Sequence, residues 1–161
     1  MTTVCLTPEQ VAFITRDVSL SIASRDVRRV PSVCKAVGCR VAPDRRRVTL
    51  LVEAAANAQL LADLRATAAV AAVFSLPATH ETLQLKGRDA CVQAADAEDI
   101  ALARAHNEAF AQHLVPLGYP LAFARAVHDF RDDDLVAVSF TVSDIFAQTP
   151  GPGAGARMGN A

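Results

Sequence analysis

The stretch "ATHETLQLKGRD", residues 78–89, carries the side chains best suited to holding a ligand. Side chains change face at every residue of a strand, so an alternating stretch of this kind has two unlike faces. The polar face holds Thr82, Gln84 and Lys86, and the other face holds Leu83, Leu85 and Gly87. The pattern predicts either a ligand-facing hairpin or an edge strand with a polar rim.

The histidines offer hydrogen bonds rather than a metal centre. His80, beside Thr79 in the corner before this strand, could bond a ligand oxygen, although an isolated loop histidine is more often simply exposed. His106, His113 and His128 lie on helical segments and lack the His-Glu-x-x-His pattern, which favours surface histidines over zinc. We therefore predict no metal site.

Several enzyme classes have no residue support. The chain contains no Ser-His-Asp order, Walker loop or GxGxxG motif, which leaves hydrolase, nucleotide triphosphatase and Rossmann chemistry without a basis. Its cysteines, Cys5, Cys34, Cys39 and Cys91, contain no CxxC pair. Free buried thiols in a reducing cytoplasm are the favoured interpretation.

Composition predicts one compact domain. The chain has 161 residues, of which 52% are apolar and 20% charged, and its net charge is -1. This balance gives no overall attraction to nucleic acid or to an anionic membrane, although residues 25–47 are locally basic. Arg45, Arg46 and Arg47 fall in a turn, where a charge run is usually a solvated face. We find no membrane span or signal sequence and expect a cytoplasmic protein.

The elements that would position these residues are mostly strands. Alternating or β-branched stretches predict six of them, at residues 18–26, 30–42, 45–53, 68–76, 81–93 and 135–143. Helices are expected from Thr7 and Pro8, over residues 54–67, over residues 96–117 and over residues 121–130. Connections between the first strands are too short for parallel crossovers.

The order of elements predicts a β-rich α+β fold, a six-stranded antiparallel barrel with flanking helices. Residues 1–147 would form this single domain. Residues 148–161 form a Gly- and Pro-rich tail, expected to be disordered or draped over a partner surface.

Residues 20–142 resemble the split-barrel flavin-binding family that includes pyridoxamine 5'-phosphate oxidase, and most closely its short bacterial members. Three segments carry the resemblance: "SIASRDVRRVPSVCKAVG", "LLADLRATAAVAAVF" and "TLQLKGRD". They are similar to the family's first two strands, to its helix and following strand, and to its "Gln-x-x-x-Gly" strand. The resemblance rests on the order and spacing of these segments rather than on a single signature motif.

The resemblance implies a homodimer that binds flavin mononucleotide (FMN) in the groove between subunits. The cofactor candidates it implies are Lys35, Arg40, Gln84 and Lys86, followed by Ser32, Thr79 and His80. At the start of the helix after the third strand, where the family often has a hydroxyl residue followed by a cation, this chain has Asn57 and Gln59.

Lys35 and Arg40 could share one phosphate only if the strand between them is irregular. They are five positions apart and would face opposite ways on a regular strand. A bulge at Gly38 would bring both onto one face.

Three functions remain open. The first is an FMN-dependent oxidoreductase acting on a small-molecule redox substrate, with no catalytic side chain assigned, because the flavin does the redox chemistry. The second is a non-catalytic module that binds flavin, haem or a deazaflavin. The third is a structural dimer with an empty groove.

Overall fold

The computed structural model describes residues 4–158 and contains four helices and nine strands. The helices are α1 (Pro8–Ile14), α2 (Ala58–Thr67), α3 (Ala97–Leu114) and α4 (Leu121–Val127). The strands are β1 (Ser19–Arg25), β2 (Pro31–Ala36), β3 (Gly38–Val41), β4 (Arg47–Glu53), β5 (Val70–Ser75), β6 (Thr82–Gly87), β7 (Cys91–Ala94), β8 (Leu135–Thr141) and β9 (Asp144–Ala147).

The strands form two antiparallel sheets, so the β-rich α+β prediction is confirmed. Sheet A has the order β2-β1-β5-β6-β9, and sheet B has the order β3-β4-β8-β7. No strand pairing within residues 4–158 joins the two sheets into a closed barrel, and the predicted six-stranded split barrel is not confirmed.

The count of six strands was wrong because two predicted strands each bend from one sheet into the other. The second becomes β2 and β3, which part at Val37, and the fifth becomes β6 and β7. β9 was not predicted at all. The alternation of apolar and polar residues continues unchanged through a bend that carries a strand from one sheet into the other. The sequence pattern therefore gave no sign of either bend.

Two glycines lie next to these bends, at positions where a side chain would meet a close neighbour. A Cβ on Gly38 would lie 2.9 Å from Leu102 Cδ2, and one on Gly87 would lie 2.5 Å from Phe140 Cδ2. A side chain at Gly38 would therefore crowd helix α3, and one at Gly87 would crowd β8 of the other sheet.

Predicted helix starts are confirmed by their caps. Thr7 and Gln10 form a capping box at α1, with Pro8 in the first turn, and Asp96 and Asp99 form another at α3. Each box satisfies backbone N–H groups that the first helical turn leaves without partners.

The core lies between the sheets, and helix α2 closes it on the inner side of sheet A. Leu60, Leu61 and Leu64 of this helix are buried in the same cluster as Leu20 and Ile22 of β1. The opposite, outer face of sheet A is therefore the one that α2 leaves uncovered.

Part of the C-terminal tail, which was predicted to be disordered or draped over a partner surface, pairs with its own domain. Backbone bonds join Ala147 to both Gly155 and Ala156, and Met158 N to Ile145 O, over 2.7–2.9 Å. Residues 155–158 thus pair along the edge of β9. The final three residues of the predicted tail, 159–161, lie outside the described part.

Candidate functional site

Two rows of side chains cross the outer face of sheet A. The first row is Lys35, Ser21, Val73, Gln84 and Phe146, and the second is Val33, Ala23, Ala71, Lys86 and Asp144. Directly paired residues of antiparallel strands point to the same side of the sheet. The central positions are small or aliphatic, and the outer positions are polar, charged or aromatic except for Val33, which makes a flat surface with mostly polar flanks.

Strand β6 has the two unlike faces that the sequence predicted. Leu83, Leu85 and Gly87 are buried, whereas Gln84 is half-buried and Lys86 is exposed on the outer face. The Lys86 Nζ lies 4.6 Å from the centre of the Phe146 ring, within cation–π range. The Gln84 Oε1 accepts a hydrogen bond of 3.1 Å from the Gln148 side chain.

The Lys35 ammonium group is a cation on the same face, and two serine hydroxyls fix its position. Its Nζ donates to the Ser19 Oγ at 2.7 Å and to the Ser21 Oγ at 3.2 Å. Partial burial of the amine lowers the pKa of Lys35, although the residue as a whole is exposed. Three strand spacings separate Lys35 from Gln84, or about 14 Å.

A groove of about 530 Å³ lies at one end of this face, where β1 and β6 end and β5 begins. We call it the cationic groove. Its lining cations are Arg25, Arg29, Lys86 and Arg88. The one acid among its lining residues is Asp144, which is paired with Arg157 at 2.5 Å. Among these residues, only Lys86 was predicted from the sequence as a cofactor contact.

The groove brings together residues from separate parts of the chain, which explains why sequence reasoning missed them. Arg25 and Arg29 come from the β1–β2 hairpin, and Lys86 and Arg88 flank the buried Gly87. Arg29 has a φ of 70°, in the left-handed region that non-glycine residues rarely adopt. The arginine-rich hairpin and the Lys-Gly-Arg end of β6 were the available signals.

Arg40 does not share a face with Lys35, so the predicted bulge at Gly38 does not unite them. The chain turns at Val37 instead, and Arg40 lies in sheet B. Its Nε donates to the Asp99 Oδ1 at 2.7 Å, and this bond raises the pKa of Arg40. Arg40 therefore joins β3 to α3.

The remaining predicted residues lie apart from both rows. Ser32 points to the inner side of sheet A, where its Oγ donates to the Asp63 Oδ2 at 2.6 Å. Thr79 and His80 are exposed in the β5–β6 turn, where His80 has a φ of 61° and its carbonyl accepts from Thr82. The structure brings Lys35, Gln84 and Lys86 onto one face and leaves these three elsewhere.

The helical histidines have structural contacts. The His113 Nδ1 lies 2.7 Å from the Asp17 Oδ2, and burial lowers the pKa of His106. Within residues 4–158, no group of three or more His, Cys, Asp or Glu side chains is arranged to hold a metal ion. In the same range, every helix is too short or too polar to cross a membrane.

Comparison with known proteins gives matches of structure only. No protein-family model and no curated protein matches the chain. The solved structure of HupZ from Group A Streptococcus matches with a TM-score of 0.56 at 15% identity, over 93% of this chain and 99% of that one.

Two further structures bear on the family. An F420 reductase matches with a TM-score of 0.55 at 14% identity, over 87% of this chain and 98% of that one. A candidate pyridoxamine 5'-phosphate oxidase from Lactobacillus delbrueckii matches with a TM-score of 0.51 at 17% identity, over 89% and 94%. The chain therefore has the fold of the pyridoxamine 5'-phosphate oxidase-like proteins.

Proposed function

We propose that this protein binds a flavin or deazaflavin cofactor on the outer face of sheet A and acts as an oxidoreductase on a small molecule. The observation that carries the proposal is the uncovered face itself, where small side chains are flanked by Lys35, Gln84 and Lys86. The fold shared with an F420 reductase and a candidate pyridoxamine 5'-phosphate oxidase supports it.

The residues of this face fit a planar, hydrogen-bonding ligand. Ala23 and Ala71 are neighbours at the centre of the second row, so a flat ring meets no bulky side chain there. A flavin ring has carbonyl and nitrogen acceptors along its edge, and the Lys35 ammonium and the Gln84 amide are donors. When bound, the cofactor supplies the redox chemistry, while the protein binds and orients it.

A second copy of the chain would cover the rest of this face. Val27 is 77% exposed and Val33 is 71% exposed, both at the β2 side of sheet A. Exposed aliphatic side chains clustered at a sheet edge favour association. In this proposal the two sheets form a split barrel, and the working unit is a homodimer that encloses the cofactor.

The proposed setting is the cytoplasm. All four cysteines, Cys5, Cys34, Cys39 and Cys91, are free. Unpaired thiols are typical of a reducing compartment.

Spectroscopy of the purified protein with each cofactor tests the proposal. We expect FMN or a deazaflavin to bind and its absorption band to bleach when the matching reductant is added. Binding without bleaching under any electron donor would favour a non-catalytic module, and a Soret band would indicate haem. Absence of binding at millimolar FMN and deazaflavin would contradict the proposal.

A further inference from the structure

We propose that the cationic groove is a binding site for a phosphate-sized dianion and that the C-terminal segment completes it. The site extends the proposed cofactor function, but its test can succeed or fail separately. Its lining contains neither Lys35 nor Arg40, the two cations that the family resemblance implied for a phosphate, nor the start of α2.

The cations of the groove lack the partners that other arginines of this chain have. Arg104, Arg125 and Arg131 each pair with a carboxylate at 2.6–2.8 Å. Within residues 4–158, no carboxylate lies within ion-pair distance of Arg29, Lys86 or Arg88. In the described part of the chain, the Arg25 guanidinium donates to the Asp26 carbonyl at 3.4 Å and pairs with no carboxylate.

The cations of the groove differ from ordinary unpaired surface arginines because they line one cavity together. Among the described residues, the arginines at 45–47 also have no ion pair, but they do not line the cationic groove. In the groove, Lys86 is exposed near the end of β6, Arg88 directly follows the buried Gly87 that ends the strand, and both residues line the cavity. Like charges held close together repel, so a bound anion would stabilise the arrangement.

The hairpin turn directs Arg29 to the same place at a cost in backbone energy. Asp26 fixes the turn, because its backbone N–H donates to the Val30 carbonyl at 2.9 Å and its Oδ1 accepts from the Val30 N–H at 2.8 Å. Arg29 takes the left-handed position of this turn and lines the groove. Glycine or asparagine would be easier at that φ, so the arginine there points to a role for its side chain.

The C-terminal segment neutralises the acid of the groove. Residues 155–158 lie along β9 and bring the Arg157 Nη2 to 2.5 Å from the Asp144 Oδ1. The other carboxylate oxygen of Asp144 accepts from the Ser143 Oγ at 2.8 Å. With both oxygens occupied, Asp144 repels a bound anion less than a bare carboxylate would.

Phosphate esters and pyrophosphate are the ligands that suit this groove. Guanidinium groups bind the oxygens of a phosphate with paired hydrogen bonds. The groove has four cations, more than are needed to neutralise the single charge of a carboxylate ligand. The dianion is either the phosphate of the cofactor or that of a separate small substrate.

Calorimetric titration with inorganic pyrophosphate tests the site. We expect Arg88→Ala and Arg29→Ala each to weaken binding about tenfold, the usual effect of losing one charge-assisted bond. The control, Arg46→Ala, should bind as the unmodified protein does. If the unmodified protein binds no pyrophosphate, or if Arg88→Ala and Arg29→Ala bind it equally well, the inference is wrong.

Titration with FMN and with riboflavin separates the two sources of the dianion. Tighter binding of FMN, with pyrophosphate competing, assigns the groove to the cofactor phosphate. Equal binding of both flavins, with pyrophosphate bound alongside, assigns it to a substrate. Pyrophosphate binding without any flavin binding would support the anion site and contradict the proposed cofactor function. Flavin binding without pyrophosphate binding would support the cofactor function and contradict the anion site.

Two further variants test whether the C-terminal segment contributes to the site. Arg157→Ala should weaken pyrophosphate binding about threefold to tenfold, because it leaves the Asp144 charge beside the anion. The double variant Asp144→Asn with Arg157→Ala should restore the affinity. Unchanged binding by Arg157→Ala, or no recovery in the double variant, would show that the segment does not complete the site.

Discussion

Arg40 and Asp99 form an ion pair that holds the start of α3 against β3. The Arg40 Nε donates at 2.7 Å to a carboxylate that is only 3% exposed, while about half of the arginine remains in solvent. The second Asp99 oxygen accepts from the Asp96 backbone in the helix cap, at 3.4 Å. One carboxylate therefore serves both the cap and the contact between sheet B and the helix.

Arg40→Ala should affect stability rather than cofactor binding. Removing the guanidinium leaves a buried carboxylate without its cation, and we expect a loss of about 2 kcal/mol, less than for a fully buried pair. Urea unfolding measures the loss, and FMN affinity should not change. A tenfold loss of FMN affinity with unchanged stability would contradict this account and indicate that Arg40 contacts the cofactor.

Lys35 should give the unfolding free energy a distinctive pH dependence. Its native pKa lies below the usual value, so between the two values the unfolded chain binds more protons than the native one. The native state therefore gains stability as pH rises through that window, up to the unfolded pKa near 10.5.

Comparison with Lys35→Met isolates this contribution, since all other titrating groups are common to both proteins. The stability of the variant relative to the unmodified protein should fall as pH rises toward 10.5. Parallel stability curves in chemical unfolding at several pH values would mean that the amine is not desolvated.

Gly87→Ala should destabilise the corner between the sheets. The added Cβ would lie 2.5 Å from Phe140 Cδ2 and 2.9 Å from the Thr141 carbonyl oxygen, so one strand must move. We expect a loss of about 2–3 kcal/mol in thermal or urea unfolding. The matched control is Gly153→Ala in the tail, where the new Cβ meets no atom within 4 Å and stability should stay nearly constant. Equal stability of the two variants would refute the close approach.

Arg29→Gly should raise stability and lower anion affinity together. Relief of the left-handed backbone at φ 70° should outweigh the flexibility that glycine adds to the unfolded chain, with a net gain of roughly 0.5–1 kcal/mol. Arg45→Gly is the control, because Arg45 has a φ of 57° and lies outside the groove. It should gain similar stability and keep its pyrophosphate affinity. A stability loss in both variants would contradict this account of the turns.

Local patterns in the sequence predicted the local structure correctly. The alternation of residues 82–87 predicted both faces of β6, and the helices predicted to start at Thr7 and at residue 96 are capped by Thr7 and Asp96. These features depend on residues close in the chain, where side-chain direction and backbone hydrogen bonding follow simple periodic rules.

Long-range contacts set what the sequence could not predict. The bends at Val37 and after Gly87 depend on how the sheets meet. Strand β9 has only four residues and forms by pairing with the distant β6, so its short sequence gave no clear alternating pattern. The cationic groove joins a hairpin tip to the end of a distant strand. Its arginines carry no motif and converge only in the folded chain.

The most direct test of the central claim places a charge in the middle of the uncovered face. Val73 lies between Ser21 and Gln84 in the first row, so Val73→Glu puts a carboxylate under the proposed ring. FMN titration followed by flavin fluorescence should show at least a tenfold weaker affinity, while Ala126→Glu, exposed on α4, should leave it unchanged. Equal FMN affinity of Val73→Glu and the unmodified protein would show that the outer face of sheet A is not the cofactor site.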